Sequence, residues 1–216
     1  MSPDCPDCLG LYVHYAFCER KCPYCDFVSI AGGEPSESER YFALLPSELE
    51  LWLEKHSELT GRELSSIYFG GGTPSLASAD AIGRFIEHVR SRFALADPCE
   101  ITLEANPHSS NASAFKDFRA AGINRLSLGI QSLHPADLRA LERIHTAHQA
   151  RQALSAARDA GFDNLSADLI FGIPGQTRQR FRDNLQALAD LRINHLAVSG
   201  LTIYPGTEFD HRQQAG

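Results

Sequence analysis

The 216-residue sequence predicts an α/β protein built as an open six-stranded (β/α)6 partial TIM-type barrel. Strand-like and helix-like segments alternate with short connections, which indicates parallel strands joined by right-handed crossovers. The alternation yields six units, too few for a closed eight-unit barrel of ~250 residues. A loop with three cysteines follows the first strand, at the end of a barrel strand where functional residues are usually found.

The first unit begins with a strand at residues 9–17, which is rich in apolar and β-branched residues. A break at Gly32-Gly33-Glu34-Pro35 precedes a helix at residues 36–59. Its Leu and Trp residues recur near helical spacing, Pro46 interrupts the pattern, and Gly61 ends it.

Five further strands follow, each a short apolar run that ends in a turn or a polar residue. They are predicted at residues 65–69, 100–104, 125–130, 165–171 and 195–203. The helices between them carry apolar residues every three or four positions, and Gly122 and Gly161 end two of them. These helices are predicted at residues 78–93, 112–121, 135–141 with 146–160, and 176–191.

The composition is that of an ordinary globular chain, with 43% hydrophobic and 22% charged residues. A formal net charge of −7 offers no basic surface for nucleic acid, so no nucleic-acid partner is expected. No apolar run reaches ~18 residues and no leader pattern opens the chain, so we expect no membrane span and a cytoplasmic protein. We expect an N-terminal segment at 1–10, a core at 11–204, and at 205–216 the start of a C-terminal region whose domain is absent.

Three cysteines, Cys18, Cys22 and Cys25, stand at C-x3-C-x2-C spacing after the first strand. Structural zinc normally takes four protein ligands, and no second Cys or His pair follows at finger spacing, which weighs against zinc. A [4Fe-4S] cluster held by three thiolates leaves one iron open to a small molecule. Cys5 and Cys8 form a C-x2-C upstream, and we favour spare thiols over an auxiliary metal site.

Several polar residues fall at or just beyond predicted strand ends, so we expect them to converge on one mouth of the barrel. Glu104 can accept hydrogen bonds from ribose hydroxyls or an amine, and Gln131 can bond polar edges. Arg143 can clamp a carboxylate, and Asp168 can accept from a hydroxyl or a cation. Together they indicate a polar, nucleoside-like ligand.

The remaining candidates are a glycine-rich turn, three histidines and a sixth cysteine. Gly70-Gly71-Gly72-Thr73-Pro74 follows a strand, where residues without a Cβ let a ligand approach the backbone. We expect His14 to face the barrel, His145 and His148 to serve polar packing or ligand contact rather than metal binding, and Cys99 to be a buried hydrophobe.

The cysteine loop, with Tyr12 six residues before its first cysteine and Tyr24 before its third, resembles the cluster loop of radical S-adenosylmethionine (SAM) proteins. The resemblance implies that Cys18, Cys22 and Cys25 hold a [4Fe-4S] cluster. It also implies that the fourth iron is chelated by the amino and carboxylate groups of SAM.

A series of motifs extends this resemblance along nearly the whole chain. It comprises Tyr12-x-His14-x2-Phe17-Cys18, Cys22-Pro-Tyr-Cys25-Asp-Phe27, Tyr68-Phe-Gly-Gly-Gly-Thr-Pro-Ser75, Glu104-Ala-Asn-Pro107, Leu128-Gly-Ile-Gln-Ser132, Arg143-Ile-His145, Asp168-Leu-Ile-Phe-Gly-Ile-Pro-Gly-Gln-Thr177 and Pro205-Gly-Thr207. The series is similar to oxygen-independent coproporphyrinogen III oxidases and the related HemW haem chaperones. That family implies two SAM positions, the first served by Tyr12, Gly71 and Glu104. The second would be served by Tyr24, Gly72, Thr73, Gln131, Arg143 and Asp168.

Phe27 distinguishes the two branches of this family, because the oxidases carry an additional cysteine at that position. The short segment before the first strand also resembles HemW, so we favour a protein that binds a cluster and SAM and passes haem to acceptor proteins. The alternative is radical oxidative decarboxylation of coproporphyrinogen III with an electron donor such as flavodoxin or ferredoxin. A zinc-stabilised barrel is the third hypothesis. Departures from the family pattern on the substrate side are Ala16, Leu133, Glu142, Ser199 and Tyr204.

Overall fold

The computed structural model describes residues 8–109 and 111–215. The strands are β1 Cys8–Tyr15, β2 Phe17–Cys18, β3 Ile30–Ala31, β4 Glu63–Gly71, β5 Ala94–Ala105, β6 Arg125–Gln131, β7 Asn164–Phe171 and β8 His195–Gly200. The helices are α1 Pro35–Lys55, α2 Ala79–Arg92, α3 Ala112–Ala120, α4 Pro135–Ala140, α5 Ala147–Asp159, α6 Arg178–Asp190 and α7 Glu208–Ala215. Across these residues, no helix combines the length and apolarity needed to cross a membrane.

Six parallel strands form a curled half-barrel, which confirms the predicted fold class. Their order, β1-β4-β5-β6-β7-β8, follows the order of the strand-helix units along the chain. The short strands β2 and β3 pair separately, within the segment that carries the cysteines. All carboxyl ends of the six strands therefore meet at one mouth, where the loops that follow them come together.

The core lies between this sheet and the helices on its outer face. Ile67 and Phe69 of β4 and Leu126 of β6 are fully buried, because successive strand residues alternate between the barrel interior and the helix layer. The helices begin where a side chain caps them: the Ser78 hydroxyl accepts from the Ala81 amide, and Thr146 and Gln149 form a capping box. Local sequence signals and tertiary packing thus agree on the same elements.

Pro98 marks the clearest departure from the predicted strand bounds. The sequence predicts a strand from residue 100, whereas β5 begins at Ala94 and passes through the proline. Pairing with β4 jumps from Leu64↔Leu95 to Ser66↔Glu100, so residues 96–99 bulge out of the ladder. A proline, which has no amide proton, is tolerated in a sheet at such a bulge.

Two helices also differ from expectation. Helix α1 continues through Pro46 from Pro35 to Lys55, because its buried face, including Leu45 and Leu49, packs on the core on both sides of the proline. Helix α7 was not expected; it begins after Thr207, whose hydroxyl accepts from the Asp210 amide.

Cys99 is half-buried against the core rather than fully buried, because it lies in the β5 bulge. Burial still raises the pKa of its thiol. Cys5 lies outside the described residues and Cys8 opens β1, so the interpretation of this pair stays a prediction. The division at residues 10 and 204 and the cytoplasmic location also stay predictions.

Candidate cofactor site at the carboxyl end of the sheet

A cavity of ≈170 Å³ lies at the carboxyl ends of the strands and brings the sequence-predicted residues together. Eleven of the twelve candidates line it: Cys18, Cys22, Tyr24, Cys25, Gly71, Gly72, Thr73, Glu104, Gln131, Arg143 and Asp168. Tyr12 is not among the lining residues; its half-exposed ring stacks on Tyr68, and its hydroxyl bonds the His14 ring at 3.1 Å. The candidates therefore come from every strand of the sheet except β8.

The cysteine loop is closed at its base by β2 and β3 and folded back by a turn. The Cys25 amide donates to the Cys22 carbonyl at 3.0 Å, and both cysteines line the cavity. Burial raises the pKa of the Cys25 thiol, and the neighbouring Cys22 and Cys18 add to the rise. A cationic centre bound at this thiol would stabilise its thiolate form.

The arrangement fits a cluster better than a single metal ion. Within the described ranges, no three His, Cys, Asp or Glu side chains converge tightly enough to ligate one ion. Clusters of the [4Fe-4S] type are held by cysteine thiolates, and Cys18, Cys22 and Cys25 all line one cavity. The three-cysteine donor set is the one that such clusters take, and it leaves the fourth iron without a protein ligand.

The glycine-rich turn lies against the start of the cysteine loop. The Gly72 amide donates to the Tyr15 carbonyl at 2.6 Å, and the Thr73 amide donates to the Phe17 carbonyl at 2.8 Å. A Cβ at Gly72 would lie 2.5 Å from the Phe17 carbonyl oxygen, and Gly71 has a φ of +105°. Glycine is therefore required at both positions for the two backbones to approach this closely.

Two carboxylates face the cavity from β5 and β7. Glu104 accepts from the Tyr68 hydroxyl at 2.7 Å and from the Gly71 amide at 3.2 Å, and Asp168 accepts from Ser127 at 2.9 Å. Burial raises the pKa of both carboxyl groups, and the Tyr68 and Ser127 hydroxyls oppose the rise. Each carboxylate keeps unused acceptor capacity, which suits it to bind hydroxyls or an amine.

Arg143 connects the far side of the cavity to the cysteine loop. Its Nη1 donates to Cys22 Sγ at 3.0 Å and to the Tyr24 hydroxyl at 3.4 Å. Its Nη2 donates to Asn106 Oδ1 at 2.6 Å and to the Gly129 carbonyl at 3.2 Å. Its Nε is buried with no partner among the described residues, so one donor of the guanidinium is available to a ligand.

Gln131 presents its side chain from a strained turn. Its φ is +62°, and the Ser132 amide bonds the Ile130 carbonyl at 2.7 Å across it, which defines a γ-turn. Ser132 donates to the buried Asp137 carboxylate, which also pairs with Arg180 at 2.9 Å. Such strain persists because the surrounding network fixes it, and it is concentrated at functional sites.

The three histidines separate into different environments. His14 Nε2 donates to the Val28 carbonyl at 2.8 Å, which ties β1 to the cysteine loop. His145 is buried and donates from Nε2 to the Ile130 carbonyl at 3.0 Å, the polar packing that was expected. His148 is exposed on α5.

Glu142 joins the cysteine loop to α7. Its carboxylate accepts from Arg20 at 3.0 Å and from Arg212, and the Phe209 amide donates to the Pro23 carbonyl at 2.9 Å. Glu142 has a φ of +52°, a conformation that glycine adopts more readily.

Sequence reasoning missed Asn106 as a site residue. It lies between the glycine-rich turn and Arg143, where Nδ2 donates to Thr73 Oγ1 at 3.0 Å. Its position directly after the predicted third strand, within the Glu104-Ala-Asn-Pro107 motif, was the available signal. An asparagine in such a loop also caps turns, so the sequence alone gave no reason to prefer a site.

Comparisons with known proteins agree on one family. The model of the radical SAM superfamily matches residues 12–211. The chain is 39% identical over 205 residues to the haem chaperone HemW of Haemophilus influenzae, covering 94% of this chain and 54% of that protein. It is 38% identical to HemW of Escherichia coli over 94% of this chain and 53% of that protein. The chain thus spans about half the length of these curated relatives.

A solved structure shows the same likeness in three dimensions. The Escherichia coli coproporphyrinogen III oxidase HemN, described as a radical SAM enzyme, superposes with a TM-score of 0.81 at 29% identity. The match covers 94% of this chain and 46% of that one. The archaeal Elp3 of Methanocaldococcus infernus, at 16% identity and a TM-score of 0.66, shares the fold.

Proposed function

The chain belongs to the radical SAM superfamily, and on that premise we propose that it is a HemW-like protein that binds a [4Fe-4S] cluster and SAM and transfers haem to acceptor proteins. One observation carries the proposal: Cys18, Cys22 and Cys25 share a cavity with the glycine-rich turn and with the polar residues of β5, β6 and β7. The three cysteines would hold the cluster. When bound, the cluster and SAM supply reductive radical chemistry, while the protein orients them and excludes water.

The remaining cavity residues would hold one or two SAM molecules. Tyr12, Gly71 and Glu104 would bind the cluster-bound SAM, with the Glu104 carboxylate accepting from an amine or a hydroxyl. A second SAM would be held by Tyr24, Gly72, Thr73, Gln131, Arg143 and Asp168. The free Nε donor of Arg143 and the unused acceptor of Asp168 support this second position.

Haem binding is supported by apolar side chains beside the cavity. Phe27 lines the cavity and is 57% exposed, and Val28 is 77% exposed. With Ile30 they form an apolar surface on the cysteine loop, of the kind that a flat macrocycle covers. The phenylalanine at position 27, where the oxidases carry an additional cysteine, also favours the chaperone.

The alternative is an oxygen-independent coproporphyrinogen III oxidase, which the likeness to HemN favours. In that case the tetrapyrrole would be a substrate, and an electron donor such as flavodoxin or ferredoxin would be a partner. The two functions differ in what they do with SAM, because the oxidase consumes it in proportion to the substrate and the chaperone binds haem without such turnover.

The test begins with anaerobic reconstitution of the chain. We expect about four iron and about four sulfide per chain, and loss of both in Cys18→Ala, Cys22→Ala and Cys25→Ala, because three ligands leave no redundancy. Cys99→Ala is the matched control and retains the cluster. Iron loss in Cys5→Ala or Cys8→Ala would show that the N-terminal pair was misinterpreted.

The second step assays haem binding and SAM cleavage with coproporphyrinogen III in parallel. We expect haem binding that weakens in Val28→Ser, while Leu51→Ser, an equivalent exposed position on α1, leaves it unchanged. SAM cleavage that depends on coproporphyrinogen III, without haem binding, would instead establish the oxidase.

A further inference from the structure

We propose that Asn106 is a positioning residue that directs hydrogen-bond donors onto two of the cluster cysteines and thereby sets the reduction potential of the cluster. The inference rests on the proposed function, because it requires Cys18 and Cys22 to be cluster ligands. Asn106 follows β5 directly and lines the cavity between Thr73 and Arg143.

Four hydrogen bonds form a chain from one thiol to the other through Asn106. Arg143 Nη1 donates to Cys22 Sγ at 3.0 Å, and Arg143 Nη2 donates to Asn106 Oδ1 at 2.6 Å. Asn106 Nδ2 donates to Thr73 Oγ1 at 3.0 Å, and Thr73 Oγ1 donates to Cys18 Sγ at 3.7 Å. One amide group therefore orients a donor at each end of the chain.

The direction of every bond follows from the chemistry of the groups. A guanidinium has donors and no acceptor, so the Asn106 oxygen must face Arg143 and its NH2 group must face Thr73. The Thr73 hydroxyl accepts from that NH2 group, which leaves its own proton for Cys18. Both ends of the chain thus present a proton to a sulfur.

The β6 backbone holds Asn106 and Arg143 in this arrangement. A Cβ at Gly129 would lie 3.0 Å from Asn106 Oδ1, so the glycine makes room for the amide. The Gly129 carbonyl also accepts from Arg143 Nη2 at 3.2 Å. The positions of the amide and the guanidinium are therefore fixed before any cofactor binds.

Hydrogen bonds to cluster sulfurs change the reduction potential. The reduced cluster carries one more negative charge than the oxidised cluster, so donors stabilise it more. Losing a donor consequently moves the midpoint potential to more negative values.

The test uses Asn106→Asp, which keeps the size of the side chain. The carboxylate still accepts from Arg143 but has no donor, so the Thr73 hydroxyl donates to it and leaves Cys18. We expect Asn106→Asp and Thr73→Val each to lower the midpoint potential of the reconstituted chain in an EPR-monitored redox titration. Thr73→Val should have no further effect in the Asn106→Asp background, because the bond to Cys18 is already lost.

The matched control is Asn124→Asp. The Asn124 side chain likewise bonds two groups, accepting from the Ile101 amide and donating to the Cys99 carbonyl, and Asn124 directly precedes β6, away from the carboxyl ends of the strands. Its substitution leaves the potential unchanged. If Thr73→Val shifts the potential equally in both backgrounds, or Asn106→Asp does not shift it, Asn106 only fills space and the inference is overturned.

Three further outcomes are separated by additional measurements. If Asn106→Asp fails to retain iron, Thr73→Val is compared with Thr73→Ser, and an equal potential in both overturns the inference. A parent chain that binds no iron overturns the proposed function together with this inference. If the parent binds iron and the Asn106→Asp and Thr73→Val variants have the same midpoint potential as the parent, this inference alone is overturned.

Discussion

Gly72 offers a test of how closely the glycine-rich turn and the cysteine loop must approach. In Gly72→Ala, the new Cβ would lie 2.5 Å from the Phe17 carbonyl oxygen and 3.0 Å from the Tyr15 carbonyl oxygen. The first distance is roughly 1 Å inside the ordinary contact distance of about 3.5 Å. Both obstacles are backbone atoms, so no side-chain rotation relieves the contact, and the peptide before Cys18 must move.

The expected cost has two parts. Overpacking a tight site costs about 1–3 kcal/mol. Two short backbone hydrogen bonds, from the Gly72 amide to Tyr15 and from the Thr73 amide to Phe17, are strained as well, at about 1 kcal/mol each. We therefore expect the free energy of unfolding to fall by about 3–5 kcal/mol, which shifts the urea midpoint by about 1–2 M.

Urea unfolding followed by circular dichroism measures the free energy of unfolding. Iron content after anaerobic reconstitution measures how much iron the cysteine loop still binds. The control is Gly83→Ala on α2, where the new Cβ meets the Ala121 Cβ at an ordinary 3.4 Å. This helical position should gain about 0.5–1 kcal/mol from the same chemical change. Equal unfolding midpoints and equal iron content in Gly72→Ala and the parent would refute the argument.

Three other predictions concern polar groups that are buried or partly buried. Asp137→Asn breaks the buried ion pair with Arg180 and should lower the free energy of unfolding by about 3 kcal/mol, whereas exposed Asp183→Asn should change the urea midpoint little. Burial and the nearby guanidinium of Arg143 lower the pKa of His145 to about 4. In the unfolded chain the pKa of His145 is near 6.5, so the unfolded chain binds more protons than the folded one below about that pH. The free energy of unfolding should therefore fall by roughly 2 kcal/mol between pH 7 and pH 5, and His145→Gln should lack this fall. Glu104→Gln should weaken SAM binding by about 10–100-fold while iron content is kept, and an equal SAM response of the cluster EPR signal in variant and parent would contradict it.

Much of the architecture could be predicted because strand and helix periodicities are local properties of the sequence. Gly122 and Gly161 ended the predicted helices, and Ser78 and Thr146 proved to cap theirs. The predicted start of β5 was wrong because of Pro98: whether a proline can lie in a strand at a bulge depends on the register with the neighbouring strand. Sequence patterns within one segment contain no information on the register between β4 and β5.

In the candidate site, too, features set by local sequence could be predicted and contacts between distant residues could not. The cysteine spacing and the strand-end polar residues indicated which side chains meet in one cavity, since parallel strands present their carboxyl ends together. The bonds from Arg143 to Cys22 and from Asn106 to Thr73 could not be foreseen, because they join residues far apart in sequence. They depend on side-chain directions that emerge after the sheet curls.

The cysteine loop, near the start of the sequence, is in direct contact with α7, near its end. Arg20 and Arg212 share the Glu142 carboxylate, and the Pro23 carbonyl accepts from the Phe209 amide. If docking of α7 raises the affinity of the loop for the proposed cluster by some factor, the cluster must favour the docked helix by the same factor. Reconstitution of the cluster should therefore slow hydrogen exchange in α7. Conversely, a substitution in α7 that weakens its docking should reduce the iron retained by the cysteine loop.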